Sequence, residues 1–350
     1  MNFNKIKSMH FPSDVYIGHD AILNIGSVVS KFLKSGEVLL ITGENTYNIA
    51  GKKVLSNLND FDVNVIIASR ATRDSIKSIE ESLKNRRSGI VLGVGGGSKI
   101  DIAKKIAYDL GIPFISVPTT PSHDGIASPR ASIYDGKSVY SEEATMPSAI
   151  VADTSIMVLA PYRYVAAGAA DVISNITAVL DWKLANRLKG EEFSSTAAVM
   201  SEYAGRELIE RSSMIQPGLE ESIWLVTKQI LASGAAMAIA GSSRPASGSE
   251  HLFSHAIEIL GPGSSIHGEQ CAMGSLISMY LHGGDWELLK NTYRKIGLNT
   301  RAESYGIGRE VAIKALSIAH RIRPSRYTIL GESDLSYNVA ERILSITGII

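Results

Sequence analysis

The sequence predicts an α/β amino-terminal domain built on a parallel sheet, followed by an all-α carboxy-terminal domain. Three observations carry this expectation. From Phe11 to about Val158, short apolar runs alternate with helical patterns, as in a parallel sheet covered on both faces. Within that half, residues 88–124 spell one complete strand–turn–helix–strand unit around three consecutive glycines. Beyond Pro161 the strand-like runs stop, and long helical patterns rich in Ala, Ser and Gly take over. The boundary therefore falls near Leu159, giving domains of residues 1–158 and 159–350.

Taken in order, Val15, Tyr16 and Ile17 suit an edge strand, and residues 21–32 a helix. VLLIT at 38–42 is a buried strand, followed at once by Gly43, Glu44 and Asn45. VNVIIA at 63–68 is another strand, and 75–83 is helical. Ile90, Val91 and Leu92 form the strand before Gly95, Gly96, Gly97 and Ser98. Ile100, Ala103, Lys104 and Ala107 then recur at helical spacing, and Gly111 is placed to end that helix. Phe114, Ile115 and Val117 make the second strand of the unit, closed by Pro118. Tyr134-Asp135-Gly136-Lys137 signals the turn of a hairpin flap, and 148–152 returns to the sheet. In the second half, helices are expected over 171–188, 194–211, 220–240, 248–259, 267–281, 309–319 and 338–344.

Composition narrows the function. Of 350 residues, 45% are hydrophobic and 20% charged, which describes a globular chain. The formal net charge is zero, so there is no general basic field to hold nucleic acid. The single cysteine, Cys271, allows no internal disulfide and fits a reducing compartment. The start, MNFNKIKSMHFPSD, has no apolar core of signal-peptide length. No uninterrupted apolar run approaches the roughly 18 residues of a membrane span, so a cytoplasmic protein is expected.

The glycines stand where a strand becomes a helix. There the first backbone N–H groups lack partners and face outward with the positive end of the helix dipole. Residues without a β-carbon let a diphosphate come close, so the turn reads as a cradle for a nucleotide. Ser98 replaces the last glycine of GxGxxG and the second glycine of GxxxxGK[ST], so neither motif is complete. Glu44, residues 95–98 and residues 119–124 all fall at carboxyl ends of strands, where such sheets bind ligands. Glu44 suits a ribose hydroxyl as partner, or is an ordinary loop carboxylate.

In the helical half, Asp171 interrupts the apolar face of AAGAADVISN, early in the first expected helix, and needs a partner there. His251 and His255 are four apart on one helix face, and His267 opens the next helix. One carboxylate and two imidazoles make a three-ligand site with open positions, which suits zinc; iron uses the same set. The sequence does not choose between His251 with His255 and a pair including His267. Such an ion would polarise a carbonyl while a nicotinamide cofactor carried the hydride. Asp124 could bond a substrate hydroxyl, and His123 and Arg130 could meet an anionic group.

GVGGGSKIDIAK, PTTPSHDGIASPRASI, AAGAADVISN, RPASGSEHLFSH and HGEQ together resemble the archaeal sn-glycerol-1-phosphate dehydrogenase family. That family groups with glycerol dehydrogenase, iron-type alcohol dehydrogenase and dehydroquinate synthase, and the likeness runs from about Ile6 to Arg342. It implies a Rossmann-like sheet domain that binds the dinucleotide and a helical domain that binds metal and substrate, in a dehydroquinate synthase-like fold. It also implies reversible reduction of dihydroxyacetone phosphate to sn-glycerol 1-phosphate with NADH or NADPH, for the backbone of archaeal membrane lipids. By the resemblance, Gly95, Gly96, Gly97, Ser98, Lys99, Thr119, Thr120, Pro121, Ser122 and Ser128 hold NAD or NADP. Asp171, His251 and His267 hold one divalent ion, zinc by preference. Asp124, Asp171 and His255 meet the substrate. The expected partners are this small molecule and a second copy of the chain in a homo-oligomer, without nucleic acid or a membrane span. The rivals are a dehydrogenase of glycerol or another unphosphorylated polyol, a lyase that recycles its own NAD, and a non-catalytic nucleotide-binding protein.

Overall fold

The computed structural model describes residues 6–136 and 139–350. Strands β1 (Asp14–Gly18), β2 (Glu37–Thr42), β3 (Val63–Ile67), β4 (Ser88–Gly95) and β5 (Phe114–Pro118) are followed by an antiparallel hairpin of β6 (Arg130–Tyr134) and β7 (Val139–Glu143). β8 (Ala149–Asp153) then completes a six-stranded parallel sheet in the order β1-β8-β5-β4-β2-β3. The hairpin is the flap expected from the turn signal, although Lys137 lies outside the described residues.

Side chains alternate across the sheet with period two, as the pleat requires. Val38, Leu40, Ile90, Leu92 and Val94 enter one buried layer, and Leu39, Ile41 and Val91 enter the other. Helix α1 (Ile25–Phe32) covers the first layer. Helices α2 (Arg73–Leu83) and α3 (Gly97–Leu110) cover the second. That second layer runs without a break into the helical half, joining Val91 and Ile100 to Val172, Leu252 and Met273. The helical half comprises α4 (Tyr162–Lys189), α5 (Ser195–Glu210), α6 (Glu220–Ala240), α7 (Ser249–Leu260), α8 (His267–Leu281), α9 (Trp286–Lys295), α10 (Arg309–Ile318) and α11 (Tyr337–Thr347). By length and composition α6 is apolar enough to cross a bilayer. Most of it is buried inside the protein, as befits a core helix, against α4, α5 and the 124–127 turn.

Several expectations need correction. The helix expected over 21–32 opens as a tight turn, Ala21–Asn24, before α1 begins. Its start is pinned from outside, because the Ile22 N–H donates to Asp153 Oδ2 at 3.1 Å. Glu44 is not a loop residue: it opens a run of short helical segments reaching Ser56. Helix α9 was not expected at all. Helix α4 begins at Tyr162 instead of Asp171, which places Asp171 in its third turn. The Ala-Gly run at 166–170 lies within this helix, and tertiary packing explains why its side chains are small. A β-carbon on Gly168 would sit 1.7 Å from the Pro121 carbonyl oxygen, so only glycine lets α4 lie against the 119–124 segment.

Candidate active site

β2 leads to a helical run on one side of the sheet and β4 leads through α3 to β5 on the other, so a crevice opens beyond their carboxyl ends. A cleft of about 630 Å³ lies there, bordered by Gly43, Glu44, Ala68, Arg70, Ser98 and Lys99. Glu44 is exposed on its lip. Gly96 caps α3, and a β-carbon on it would meet only Thr120 Oγ1, at 3.6 Å. The approach to the first N–H groups of the helix is thus open. Thr119 and Gly95 are joined by a backbone hydrogen bond of 3.0 Å, and the Thr120 and Ser122 hydroxyls by one of 3.3 Å.

Gly97 differs from the phosphate cradle read from the sequence. A β-carbon there would fall 1.8 Å from His123 Nε2, so Gly97 is bare because an imidazole fills its space. Ser98 and Lys99 tie the helix start to the chain after β3. Ser98 Oγ accepts from the Ala71 N–H at 3.0 Å, and Lys99 Nζ donates to the Ser69 carbonyl. Partial burial lowers the Lys99 pKa.

The second group comes from α4, α7 and α8. Asp171 is 2% exposed, and its Oδ1 has no hydrogen-bond partner. That orphaned oxygen lies 3.7 Å from His251 Nε2 and 3.6 Å from His267 Nε2, and the two nitrogens are 3.3 Å apart. Such a near-equilateral triangle has the edges made by ligands of one ion held about 2.0–2.2 Å away. Both imidazoles are set for that role. His251 Nδ1 lies 3.0 Å from Glu250 Oε1, so a proton on Nδ1 is donated there. The Ser254 hydroxyl gives its hydrogen to Gln270 Oε1, leaving its oxygen to accept from His267 Nδ1 at 3.2 Å. In each ring the Nε2 lone pair is then turned toward Asp171. Burial holds His251 and His267 below the usual histidine pKa, which favours the neutral form a ligand must have. His255 stands apart, its ring centroid 6.4 Å from that of His251 and 6.2 Å from that of His267.

Cys271 was not anticipated at this site. Its Sγ is 3.5 Å from His267 Nε2 and 3.8 Å from His251 Nε2, with the thiol pushed up by burial and neighbouring carboxylates. The spacing HxxxC on α8 was the available signal, since residues four apart share a helix face. Glu250 and Ser254, which orient the rings, carried no comparable signal.

The two groups meet. One cleft of about 620 Å³ is lined by Ser98, His123, Asp124, Ser128, His255 and His267, among others. The Asp124 N–H donates to Asp171 Oδ2 at 3.0 Å, and Asp124 Oδ2 accepts from the Ser233 hydroxyl at 3.0 Å. Burial first, and each other or further carboxylates second, push the carboxyls of Asp124 and Asp171 up to about 7. His123 lies edge-on to His267 with centroids 6.5 Å apart and accepts from the Gly125 N–H. Burial lowers its pKa to about 3, so any contact with an anion there would come from a neutral N–H.

Residues 16–161 match the iron-containing alcohol dehydrogenase family. Over its whole length the chain is 55% identical to glycerol-1-phosphate dehydrogenase (NAD(P)+) of Thermoplasma volcanium, covering 100% of both proteins. It is 46% identical to the protein of that name from Methanosarcina mazei, covering 100% of this chain and 99% of the other. The fold is similar to that of a glycerol dehydrogenase from Schizosaccharomyces pombe, with a TM-score of 0.80 over 99% of this chain and 92% of that one, at 21% identity. A likeness that distant speaks to the fold alone. Identity at this level along the entire sequence places the chain in the glycerol-1-phosphate dehydrogenase family.

Proposed function

We propose that the protein is an NAD(P)-dependent oxidoreductase that interconverts dihydroxyacetone phosphate and sn-glycerol 1-phosphate. The observation that carries this reading is the single cleft in which Ser98 of the glycine turn faces the Asp171–His251–His267 cluster. Its substrate is taken from the full-length relatives.

Asp171, His251 and His267 would hold a divalent ion, zinc by preference, with Cys271 behind them. The start of α3, with Gly95, Gly96, Gly97, Ser98 and Lys99, would face the diphosphate of the dinucleotide. Thr119, Thr120, Pro121, Ser122 and Ser128 would border it, and Glu44 would meet the adenosine ribose. When bound, the ion polarises the ketone oxygen and the nicotinamide supplies the hydride. Asp124 carries a carboxyl poised near neutrality, so it can donate to or accept from the substrate hydroxyl. His255, neutral through burial and the nearby Arg323 charge, has one N–H to offer at the cleft wall. The proton that completes the alcohol arrives through water beside His255. The apolar residues Val199, Tyr203 and Trp224 are exposed on the adjacent helices α5 and α6, which supports a homo-oligomer.

The test is an absorbance assay of NADH and NADPH with dihydroxyacetone phosphate, with dihydroxyacetone, and after chelation. Metal-dependent oxidation with the phosphorylated ketone is expected. Equal or better turnover of dihydroxyacetone would point to a polyol dehydrogenase, and no net oxidation with either would end the proposal.

A further inference from the structure

Beyond the residues that meet the cofactor, the ion and the ketone, three guanidinium groups gather at the far end of the cleft. Arg130, at the start of β6, and Arg323, just past the helical turn Ala319–Ile322, both line the 620 Å³ cleft with Asp124, His255 and His267. The same two residues line a neighbouring cleft of about 850 Å³, which also reaches Arg326, so they stand where the two spaces join. Arg130 Nε donates to Ser141 Oγ at 3.1 Å, and Arg326 Nη2 donates to Ser243 Oγ at 2.9 Å. These bonds to neutral oxygens aim the side chains without cancelling charge. Among the described residues, Arg323 has no side-chain partner and no carboxylate lies within 4.0 Å of any of the three guanidinium groups.

Half-buried like charges without counterions beside them are costly, so the arrangement calls for an anion. Burial and mutual repulsion already lower the pKa of Arg323, and hold Arg326 at about 9. The diphosphate of the dinucleotide is not that anion. The cleft beside Gly43, Ser98 and Lys99 contains neither Arg130 nor Arg323. The carboxylates on the 620 Å³ cleft are otherwise engaged: Asp101 lies 3.0 Å from Lys104 Nζ, Glu258 accepts from Gln270 and Asp124 from Ser233. A phosphoryl group has several equivalent oxygens, which guanidinium forks match. We propose that Arg323 and Arg130 grip the phosphate of the substrate at the junction of the two clefts, with Arg326 behind them adding charge, and that this grip selects the phosphorylated ketone. The proposal rests on the reading that a ketone is reduced in this cleft.

The experiment measures kcat/KM for dihydroxyacetone phosphate and for dihydroxyacetone in the metal-loaded wild type and in Arg323→Ala, Arg130→Ala and Arg323→Lys. It also measures inhibition by inorganic phosphate, and NADH affinity by fluorescence. The preference for the phosphorylated ketone should fall about 100-fold or more in each alanine variant, the range for a lost charge-assisted contact to a dianion. Arg323→Lys should recover part of the preference, and phosphate should compete with substrate in wild type but poorly in the variants. NADH affinity should stay within a few-fold. An unchanged preference in all three variants overturns the assignment while leaving the proposed activity standing. Failure of wild type to turn over either ketone removes the activity itself. If Arg323→Ala loses its cooperative melt, Arg323→Lys and Arg130→Ala decide by the same ratio.

Discussion

Asp171 Oδ1 is a carboxylate oxygen buried with no hydrogen-bond donor, facing two imidazole lone pairs. Three acceptors turned on one another repel, and either a proton or a cation relieves them. Burial of this carboxyl, with the charge of Glu250 nearby, raises its pKa to about 7. The sign follows. Below pH 7 Asp171 carries a proton, which a divalent ion must displace. Metal affinity should therefore rise as pH rises through about 7. Calorimetry of ion binding at pH 6, in buffers of different ionisation enthalpy, should show about one proton released per ion. Burial holds His251 and His267 below the usual histidine value, which limits their share of that release. In Asp171→Asn that release should vanish and affinity should drop at least about 100-fold; wild type releasing no proton at pH 6 would contradict the assignment.

At this scale the sequence supplied residue types more readily than partners. His251 and His255 share a helix face, so HxxxH was as good a reading as any pair with His267. Only the angle between α7 and α8 brings the Nε2 atoms of His251 and His267 to 3.3 Å. Cys271 was legible from its spacing and was passed over as a compartment marker. The meaning of Gly97 was not legible, because the group filling its space comes from the other end of β5.

At the scale of elements, the start of α3 has two jobs. Gly96 opens onto the cleft, and Gly97 makes room for His123, whose Nδ1 in turn accepts from Gly125 at 2.9 Å. The glycine turn thus sets the position of Asp124, the residue between His123 and Gly125. Gly97→Ala should destabilise the protein by about 1–3 kcal/mol through overpacking. Because the two sites are in contact, His123→Ala should recover part of that loss in a double-mutant cycle read by thermal melts. Strict additivity would show that Gly97 does not answer to His123. Elements such as β2, β4, β5, α6 and α8 were legible because each is rich in apolar residues and buried along most of its length. The start of α4 was not, since its Ala-Gly run has no apolar-polar pattern, and the close approach of Pro121 explains its small side chains. Helix α9 escaped because it is short and largely polar, with Leu289, Thr292 and Tyr293 its buried residues.

For the whole molecule, one apolar core passes from the sheet through α3 into the helical half. The walls of the cleft are therefore fixed to a shared framework. The change of character near Pro161 was visible in the sequence, and so was the clustering of chemistry-bearing residues in each half. That the clusters face one another follows from packing, chiefly Gly168 beneath Pro121 and the bond from Asp124 to Asp171. The most direct check is to replace the resident ion with Mn2+ and record the NMR relaxation of bound NAD+. The nicotinamide C4 proton should relax far faster than the adenine protons, and the enhancement should disappear in Asp171→Asn. Equal relaxation at the two ends of the cofactor, or none at the nicotinamide, would place ion and hydride in separate parts of the protein.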